Sequence, residues 1–599
     1  MINMKRYLSW LLGQFIWWGA LLAAPAGWAA DSDGAPVPRG TSSTEPDRGM
    51  ARPKSPNVTI NLIHRLVERG VLSADDAREL IQQAENDAVE ARAQARNPGS
   101  DPAASETVSV RYVPEIVKLQ IRDEIKDEVL KQARAEHWAA PNTLPAWVSH
   151  FGVKGDLRVR YEDDLFPKGN DTTGAFPNFN SINSGSPYDL RSTAYAPQRN
   201  VDQDRNRLRL RARLGAEINL ENGFTVGLRL ATGENNSPVT QNQSLGAANS
   251  AQGGNFSKYA VWLDQAFLKY ELGGLPTQNL AVSVGRFENP FFSTSILWAN
   301  DLGFDGLAVQ GRHAVGEGVT PFFAAGAFPI FNTDLNFSSN RPQKYPSEDK
   351  WLYGGQLGVD WKVTDDLSIK GAGAFYYFDR VEGKLSDPII LTTAQDQGNT
   401  DDTRPAFAQY GNTYMMLRNI NNATSANNFG QLYQYQYFGL ATPFQDFAFT
   451  GRADYKHFEP FTISLTSEFV KNIAFNQSRI NGLAVNNRGA DLASGAAGPF
   501  AGGDTAWIVG IKLGAVALQK RWDWNIGLDY RYVESDAVVD GFCDSDFGGG
   551  GTNVKGYSIH AALALAPKIA LGLHWMSSDQ VAGPTLKADT LQLEVNAKW

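Results

Sequence analysis

Five arginines, Arg205, Arg207, Arg209, Arg211 and Arg213, recur at every second position and alternate with Leu208, Leu210, Ala212 and Leu214. A period of two puts the arginines on one face of a β-strand and the apolar residues on the other. Upstream, Arg158 and Arg160 share the face of Glu162. Side chains on neighbouring strands stand roughly 5 Å apart, so the two segments make one basic patch if they pair. On the wall of a water-filled lumen such a patch can attract anions or set a transverse field. Alternatively it pairs with acids such as Glu217, Asp454, Asp529 and Glu594 and only keeps the interior wet. Both readings stand at this level. Arg229, Asp454, Asp529, Arg531 and Glu594 complete the candidate pore-lining set.

Catalytic chemistry has weaker support. The histidines are His64, His137, His150, His313, His457, His560 and His574, and none sits in an HExxH spacing, nor is there a Gly-x-Ser-x-Gly elbow. His560 and His574 fall on the lumen parity of adjacent candidate strands, where a hydrogen-bonded structural role outweighs catalysis. Asp544 to Gly551, DSDFGGGG, is calcium-like in composition but lacks the ligand series of an EF-hand, and reads as a flexible outer loop. No catalytic residue, metal or cofactor is expected. Cys543 stands alone, so it forms no internal disulfide and reads as an unpaired loop residue.

The elements that must hold these residues alternate for most of the chain. Leu591, Leu593, Val595, Ala597 and Trp599 oppose Thr590, Gln592, Glu594, Asn596 and Lys598; Trp522, Trp524, Ile526, Leu528, Tyr530 and Tyr532 oppose Asp523, Asn525, Gly527, Asp529 and Arg531. In water such an apolar row invites edge-to-edge aggregation. Aromatics at 11%, 57 glycines and 20% charge suit a barrel whose apolar outer face is diluted by a polar inner one. About sixteen strands are expected, starting near Lys154, Arg205, Phe224, Lys258, Asn279, Phe304, Val319, Lys350, Leu367, Phe447, Phe461, Asp504, Trp522, Val554, Lys568 and Asp589. Their connections alternate short and long, as in outer-membrane barrels with short periplasmic turns and long outer loops. Strand one then runs outward from a periplasmic amino-terminal region. Phe224, Tyr270, Trp361, Tyr455, Trp507, Trp522 and Trp575 lie near strand ends, where interfacial girdles belong. Pro290 to Asp301 is apolar for a loop and is expected to pack inward, whereas Glu382 to Asp446 is long enough to narrow the pore.

Ahead of the barrel, Lys5, Arg6 and the apolar stretch from Tyr7 to Ala24 read as a signal peptide over residues 1–29. Its removal takes two basic residues and no acid, moving the net charge from −9 to −11 and arguing against nucleic acid as a partner. Residues 30–56 read as a disordered linker and 57–96 as a helical hairpin, Ser73 and Asp76 giving a capping-type start to its second helix. Within 106–140, Val113, Val117, Ile121, Ile125 and Val129 recur every four residues beside a charged face, an amphipathic or coiled-coil helix that needs a partner. Self-association, docking at the barrel mouth or packing on the hairpin would each supply one. Residues 150–599 form the barrel.

The segments NLIHRLVERGVLSADDAREL, VRYVPEIVKLQIRDEIKDEV, LPAWVSHFGVKGDLRVRYE, GRFENPFFSTSILWANDLGFDGLAVQ and VNAKW resemble the bacterial putative porin family. The resemblance implies an all-β transmembrane antiparallel barrel in the outer membrane of a Gram-negative bacterium, preceded by a short periplasmic α-helical region. It implies passive diffusion of small hydrophilic solutes or ions and neither a known substrate nor a catalytic site. It also implies a homotrimer. Trp599 departs from the terminal Phe commonest in such barrels but resembles the aromatic signal read by the barrel-assembly machinery. The expected partners are therefore the outer-membrane lipid bilayer, that machinery and small solutes. An outer-membrane barrel enzyme of lipase or protease type, or a tether or adhesin using the helical amino-terminal region, are the alternatives, and conductance in a planar bilayer separates a pore from both.

Overall fold

The computed structural model describes residues 150–599 other than 193–194, 235–236, 248–253, 276–277, 334–343 and 491–496, together with residues 77, 78, 82 and 86. Those four are helical and fall where the second helix of the hairpin is expected. The expected signal peptide, linker and 106–140 helix lie outside the described residues.

Sixteen long strands form the wall: β1 (Phe151–Leu165), β2 (Arg205–Asn219), β3 (Phe224–Thr232), β4 (Val261–Leu275), β5 (Gln278–Glu288), β6 (Gly303–His313), β7 (Val319–Phe331) and β8 (Lys350–Lys362). They continue as β9 (Leu367–Asp379), β10 (Phe444–Tyr455), β11 (Thr462–Asn472), β12 (Thr505–Gly514), β13 (Trp524–Val533), β14 (Val554–Ala566), β15 (Ile569–Gln580) and β16 (Lys587–Lys598). Each pairs antiparallel with the next, and β1 pairs with β16 from Asp156↔Lys598 to Leu165↔Asp589, so the sheet closes. Closure leaves no edge strand, the condition for placing backbone polar groups in hydrocarbon. No helix of the described residues is long and apolar enough to cross a membrane. The expected strand starts lie within a few residues of the observed ones.

The outward parity carries the apolar residues. Leu208, Leu214, Leu357, Phe449 and Val509 are exposed, as lipid-facing positions are when the barrel is taken alone. Aromatics pair along the rims: Phe224 with Tyr270 at 4.5 Å and Phe461 with Trp524 at 5.2 Å at the short-turn end, Trp507 with Tyr530 at 5.6 Å at the other. The β2–β3 turn is tight because Glu221, Asn222 and Gly223 all take positive φ. A Cβ on Gly223 would collide with the Glu271 carbonyl, so this turn needs glycine for close approach as well as for φ. β3 ends at Thr232, and the two-residue strand Gln243–Ser244 takes its place beside Arg209 and Leu210, keeping that stretch of β2 paired.

The apolar core lies inside the barrel. The segment between β5 and β6 (289–302) folds inward, burying Phe291, Ile296, Leu297 and Trp298 against Phe304, Phe328 and Tyr376. Trp298 meets Phe304 and Tyr376 edge-on at 5.2 and 5.3 Å. The long segment between β9 and β10 (380–443) packs on the segment between β13 and β14 (534–553): Asn412 Nδ2 donates to the Ser535 and Val538 carbonyls at 2.6 and 2.8 Å. Helix α1 (Phe179–Ser184), capped by Asn178, joins this roof when Asn183 Nδ2 donates to the Phe438 carbonyl at 2.8 Å.

Candidate functional site in the barrel lumen

β1 and β2 pair in the register that their sequences require, with Arg158 opposite Arg211, Arg160 opposite Arg209, Glu162 opposite Arg207 and Asp156 opposite Arg213. Two of these rungs set like charges face to face, which is destabilising unless acids intervene. Acids do. Glu162, 2% exposed, accepts from Arg207 and, at 3.1 Å, from Arg209. Asp156 accepts from Arg211 at 2.9 Å and from Arg213 at 2.5 Å, and Asp164 from Arg207 at 2.8 Å. Across the other seam Arg160 donates from Nε and Nη2 to Glu594 at 3.1 and 3.0 Å.

Two loop acids reach the same wall. Asp301, at the end of the inward 289–302 segment, lies 2.9 Å from Arg211 and 3.6 Å from Arg213. Asp546, from the 534–553 segment, lies 2.8 Å from Arg160. Burial would raise the Asp546 carboxyl, but Arg160 and Arg209 outweigh it and hold the group well below the usual carboxylate range. The two segments are tied together by Ala299 N to Phe542 O at 2.8 Å and Asp544 N to Ser295 O at 2.9 Å. The short 289–302 segment and 534–553 thus meet the arginine wall together with 241–244, where Asn242 accepts from Arg158 at 2.7 Å, while 380–443 packs on 534–553.

The remaining candidates pair locally. Arg229 bonds Asp264 and Glu288, the latter at 2.6 Å; Asp454 accepts from Arg452 at 2.9 Å; Arg531 lies 2.5 Å from Asp544 and 3.4 Å from Asp529. Arg205 is exposed where β2 begins. Of the acids expected to serve the ladder, Glu594 does so, whereas Glu217 pairs with Lys154 at 2.8 Å and Asp454 and Asp529 serve their own neighbours. The true partners Asp156 and Asp164 were open to the alternation, because they share the parity of Arg158 and Arg160. Asp301 and Asp546 sit in aperiodic loops and leave no such signal.

Three further expectations meet the structure here. Asp544–Gly551 is not a flexible outer loop: Phe547 is 1% exposed, and Asp544 and Asp546 are ion-paired to the wall. Cys543 is a free thiol in this segment and is buried. His560 and His574 do pair, opposite one another on β14 and β15 with ring centroids 6.0 Å apart. Each is near an acid, Asp529 at 4.0 Å and Glu594 at 3.8 Å. Among the described residues no group of three or more His, Cys, Asp or Glu is arranged to hold a metal. Trp599 exchanges backbone hydrogen bonds with Gly155 at 3.1 and 3.2 Å, and its indole lies where a Cβ on residue 155 would be.

Two cavities adjoin at Asp301 and Thr240. One, of about 730 Å³, has an aromatic and apolar side from Phe304, Phe328 and Phe331 and a polar side including Glu234 and Arg286. The other, of about 380 Å³, is lined by charged residues of β1, β2 and β13–β16 and by Asp301, Asp544 and Asp546 of the two loop segments.

A closed sixteen-stranded barrel, apolar outside and charged within, is the architecture of an outer-membrane channel. The chain belongs to the putative porin family, whose model matches residues 56–599. No curated protein matches it. Among solved structures it is similar to OprB of Pseudomonas putida, with 11% identity and TM-score 0.38 over 76% of this chain and 95% of that one. It is also similar to the outer membrane channel DcaP of Acinetobacter baumannii, with 9% identity and TM-score 0.34 over 75% and 98%. The loop L8 deletion mutant of OmpT from Vibrio cholerae gives 9% identity and TM-score 0.34 over 75% and 100%.

Proposed function

We propose that the protein is a passive pore for small hydrophilic solutes, its long loops outside the cell and its amino-terminal region in the periplasm. One observation carries this: the face of the wall opposite the lipid-facing apolar row is lined by arginines and carboxylates, which only an aqueous interior solvates. Arg158, Arg160, Arg207, Arg209, Arg211, Arg213, Arg229, Asp454, Asp529, Arg531 and Glu594 are its wall residues, with Arg205 at the mouth. Because most of these arginines already hold a carboxylate, the reading of them as paired wall residues is better supported than a free anion ladder, and the pore is weakly ion-selective. Reconstitution in a planar bilayer tests this. Discrete conductance steps with a small reversal potential across a salt gradient are expected. Inserted, heat-modifiable barrel that gives no steps would sink the pore reading. Replacing Arg207, Arg209 and Arg211 together by Gln takes Arg207 and Arg209 from Glu162 and leaves Asp156 with Arg213 alone, and is expected to move the reversal potential toward cations. We also propose a homotrimer helped by the 106–140 helix; unchanged oligomer stability after deletion of residues 106–135 would remove the helix from that role.

A further inference from the structure

We infer that Lys370 on β9 and Arg452 on β10 form a binding site for the oxyanion group of a solute, a carboxylate or a phosphate; that the ligand is a solute in transit rests on the pore reading. The two residues stand directly opposite one another across the β9–β10 seam. Both point into the lumen, for Lys370 shares the parity of buried Ala372 and Ala374, and Arg452 that of buried Ala448 and Thr450. The Lys370 ammonium lies 4.4 Å from the ring centroid of Phe292, on the inward 289–302 segment, and 4.8 Å from that of Phe322. Side chains directly opposite on neighbouring strands start about 5 Å apart, so the two cationic heads share one place on the wall.

Like charges set face to face are destabilising. On β1 and β2 the fold resolves such rungs with its own acids: Asp156, Glu162 and Glu594 stand among Arg160, Arg209 and Arg211. On β9 and β10 no acid bridges the two cations. Arg452 spends its Nε on Asp454, at 3.0 and 2.9 Å, two residues along its own strand, and Ser464 Oγ donates to the same carboxylate at 2.5 Å. Among the described residues the terminal nitrogens of Arg452 meet no acceptor. Lys370 is held by two ring faces, which attract an ammonium but carry no net charge. Asp360 faces it across the β8–β9 seam and forms no ion pair with it.

The rung lacks the carboxylate that its pattern calls for, and an oxyanion supplies it. One oxygen accepts from the Lys370 ammonium and another from the terminal nitrogens of Arg452, both as charge-assisted hydrogen bonds. Thr466, opposite Arg452 on β11, adds a hydroxyl to the same rung. Lys512 on β12 forms no ion pair with any described residue either, but it pairs in register with Ser464 rather than with this rung, so it contributes field and not contact. Counting Asp360 and Asp454 against Lys370, Arg452 and Lys512 leaves the stretch cationic, and an ammonium solute is repelled where an oxyanion is held.

Titration calorimetry on the full-length protein in nonionic detergent tests this with butanoate, inorganic phosphate and butylammonium as probes. Saturable binding of butanoate, of phosphate or of both is expected, and none of butylammonium; binding of butanoate alone assigns the site to carboxylate solutes, of phosphate alone to phosphorylated ones. Lys370→Gln and Arg452→Gln should each weaken the oxyanion roughly tenfold, the factor that one charge-assisted hydrogen bond supplies. Lys370→Arg should keep the affinity, and Lys512→Gln, which removes the same charge from outside the rung, should change it far less. Heat-modifiable migration reports folding; should one Gln variant fail to fold, the other decides against its Lys512→Gln control. Binding of neither oxyanion, equal binding of butylammonium, or a loss in Lys512→Gln as large as in Lys370→Gln, which marks a diffuse field, would overturn the inference. Oxyanion binding by a protein that gives no conductance step in a bilayer would leave the site standing and remove the pore reading instead.

Discussion

The wall from β16 through β3 and the wall from β9 through β13, with the loops behind it, neutralise their buried acids by different means. On the first, Asp156, Glu162, Asp164 and Glu594 each meet an arginine within 3.1 Å. On the second, Glu468 accepts from Thr294 and Thr450, Asp536 from Thr413 and Ser535, Asp540 from Tyr414, and neither oxygen of Asp446 has a hydrogen-bond partner. The first side is fixed by ion pairs, which persist across the physiological pH range. The second keeps ion pairs too, Arg418 with Asp401 at 2.6 Å and Arg531 with Asp544 at 2.5 Å, but Glu468, Asp536 and Asp540 rest on hydroxyls, so its loop carboxyls take part of their balance from protons. Burial pushes Asp536 up to about 6 and Asp540 up to about 7, the latter despite the Tyr414 hydroxyl. One lumen thus holds a charge-locked half and a pH-responsive half.

The largest effect that would break this contrast comes from Glu162→Gln. Removing that carboxylate strands Arg209 and leaves Arg207 with Asp164 alone, and breaking a buried pair costs about 3–5 kcal/mol. The urea midpoint of the gel-mobility shift should fall well below wild type, and an unchanged midpoint would show that the arginines are solvated independently of their partners.

Next is pH. The folded carboxyls of Asp536 and Asp540 lie above the ordinary value of 3.8, so their contribution to loop docking is fully present below about pH 4 and is lost as pH rises through about 7. The loss is on the order of 3 kcal/mol per group. Hydrogen-exchange protection in 410–414 and 535–553, taken relative to the intrinsic amide rate at each pH, should be greater at pH 5 than at pH 8, and Asp540→Asn should flatten that difference. Equal protection at both values would place the control elsewhere.

A smaller effect is expected from Asp301→Asn. It frees Arg211 and Arg213 from a loop acid, shifting selectivity toward anions, and the shift should fade above roughly 0.15 M salt, where screening acts over about 8 Å. No shift at low salt would mean that Asp301 lies off the ion path. The smallest belongs to Lys154–Glu217, an exposed pair on β1 and β2, where Lys154→Ala should change stability by less than about 1 kcal/mol.

The charge-locked half was far more legible in the sequence than the other. Arg205 to Arg213 and Leu208 to Leu214 declare their faces by period alone, and the same period governs Asp156 and Asp164. The loops have no period, so their direction depends on contacts made with distant chain. The glycines of 548–551 illustrate the failure: they read as flexibility, yet Gly548, Gly549, Gly550 and Gly551 all hold positive φ, between 64° and 100°, and turn the chain so that Phe547 is buried. Composition distinguishes neither use of glycine. In Pro290 to Asp301 apolar content correctly signalled inward packing, but nothing local marked Asp301 as the residue that crosses to the arginines.

The seam between β1 and β16 joins the first and last strands of the wall. Arg160 and Glu594 are 434 residues apart in the chain, so their contact is among the most non-local a barrel of this size can make. Until β16 is in place, β1 keeps a row of unpaired amides on one side and Arg160 lacks Glu594, and such a half-built sheet offers its open edge to any neighbouring chain. Closure of this seam is therefore expected to come late in folding.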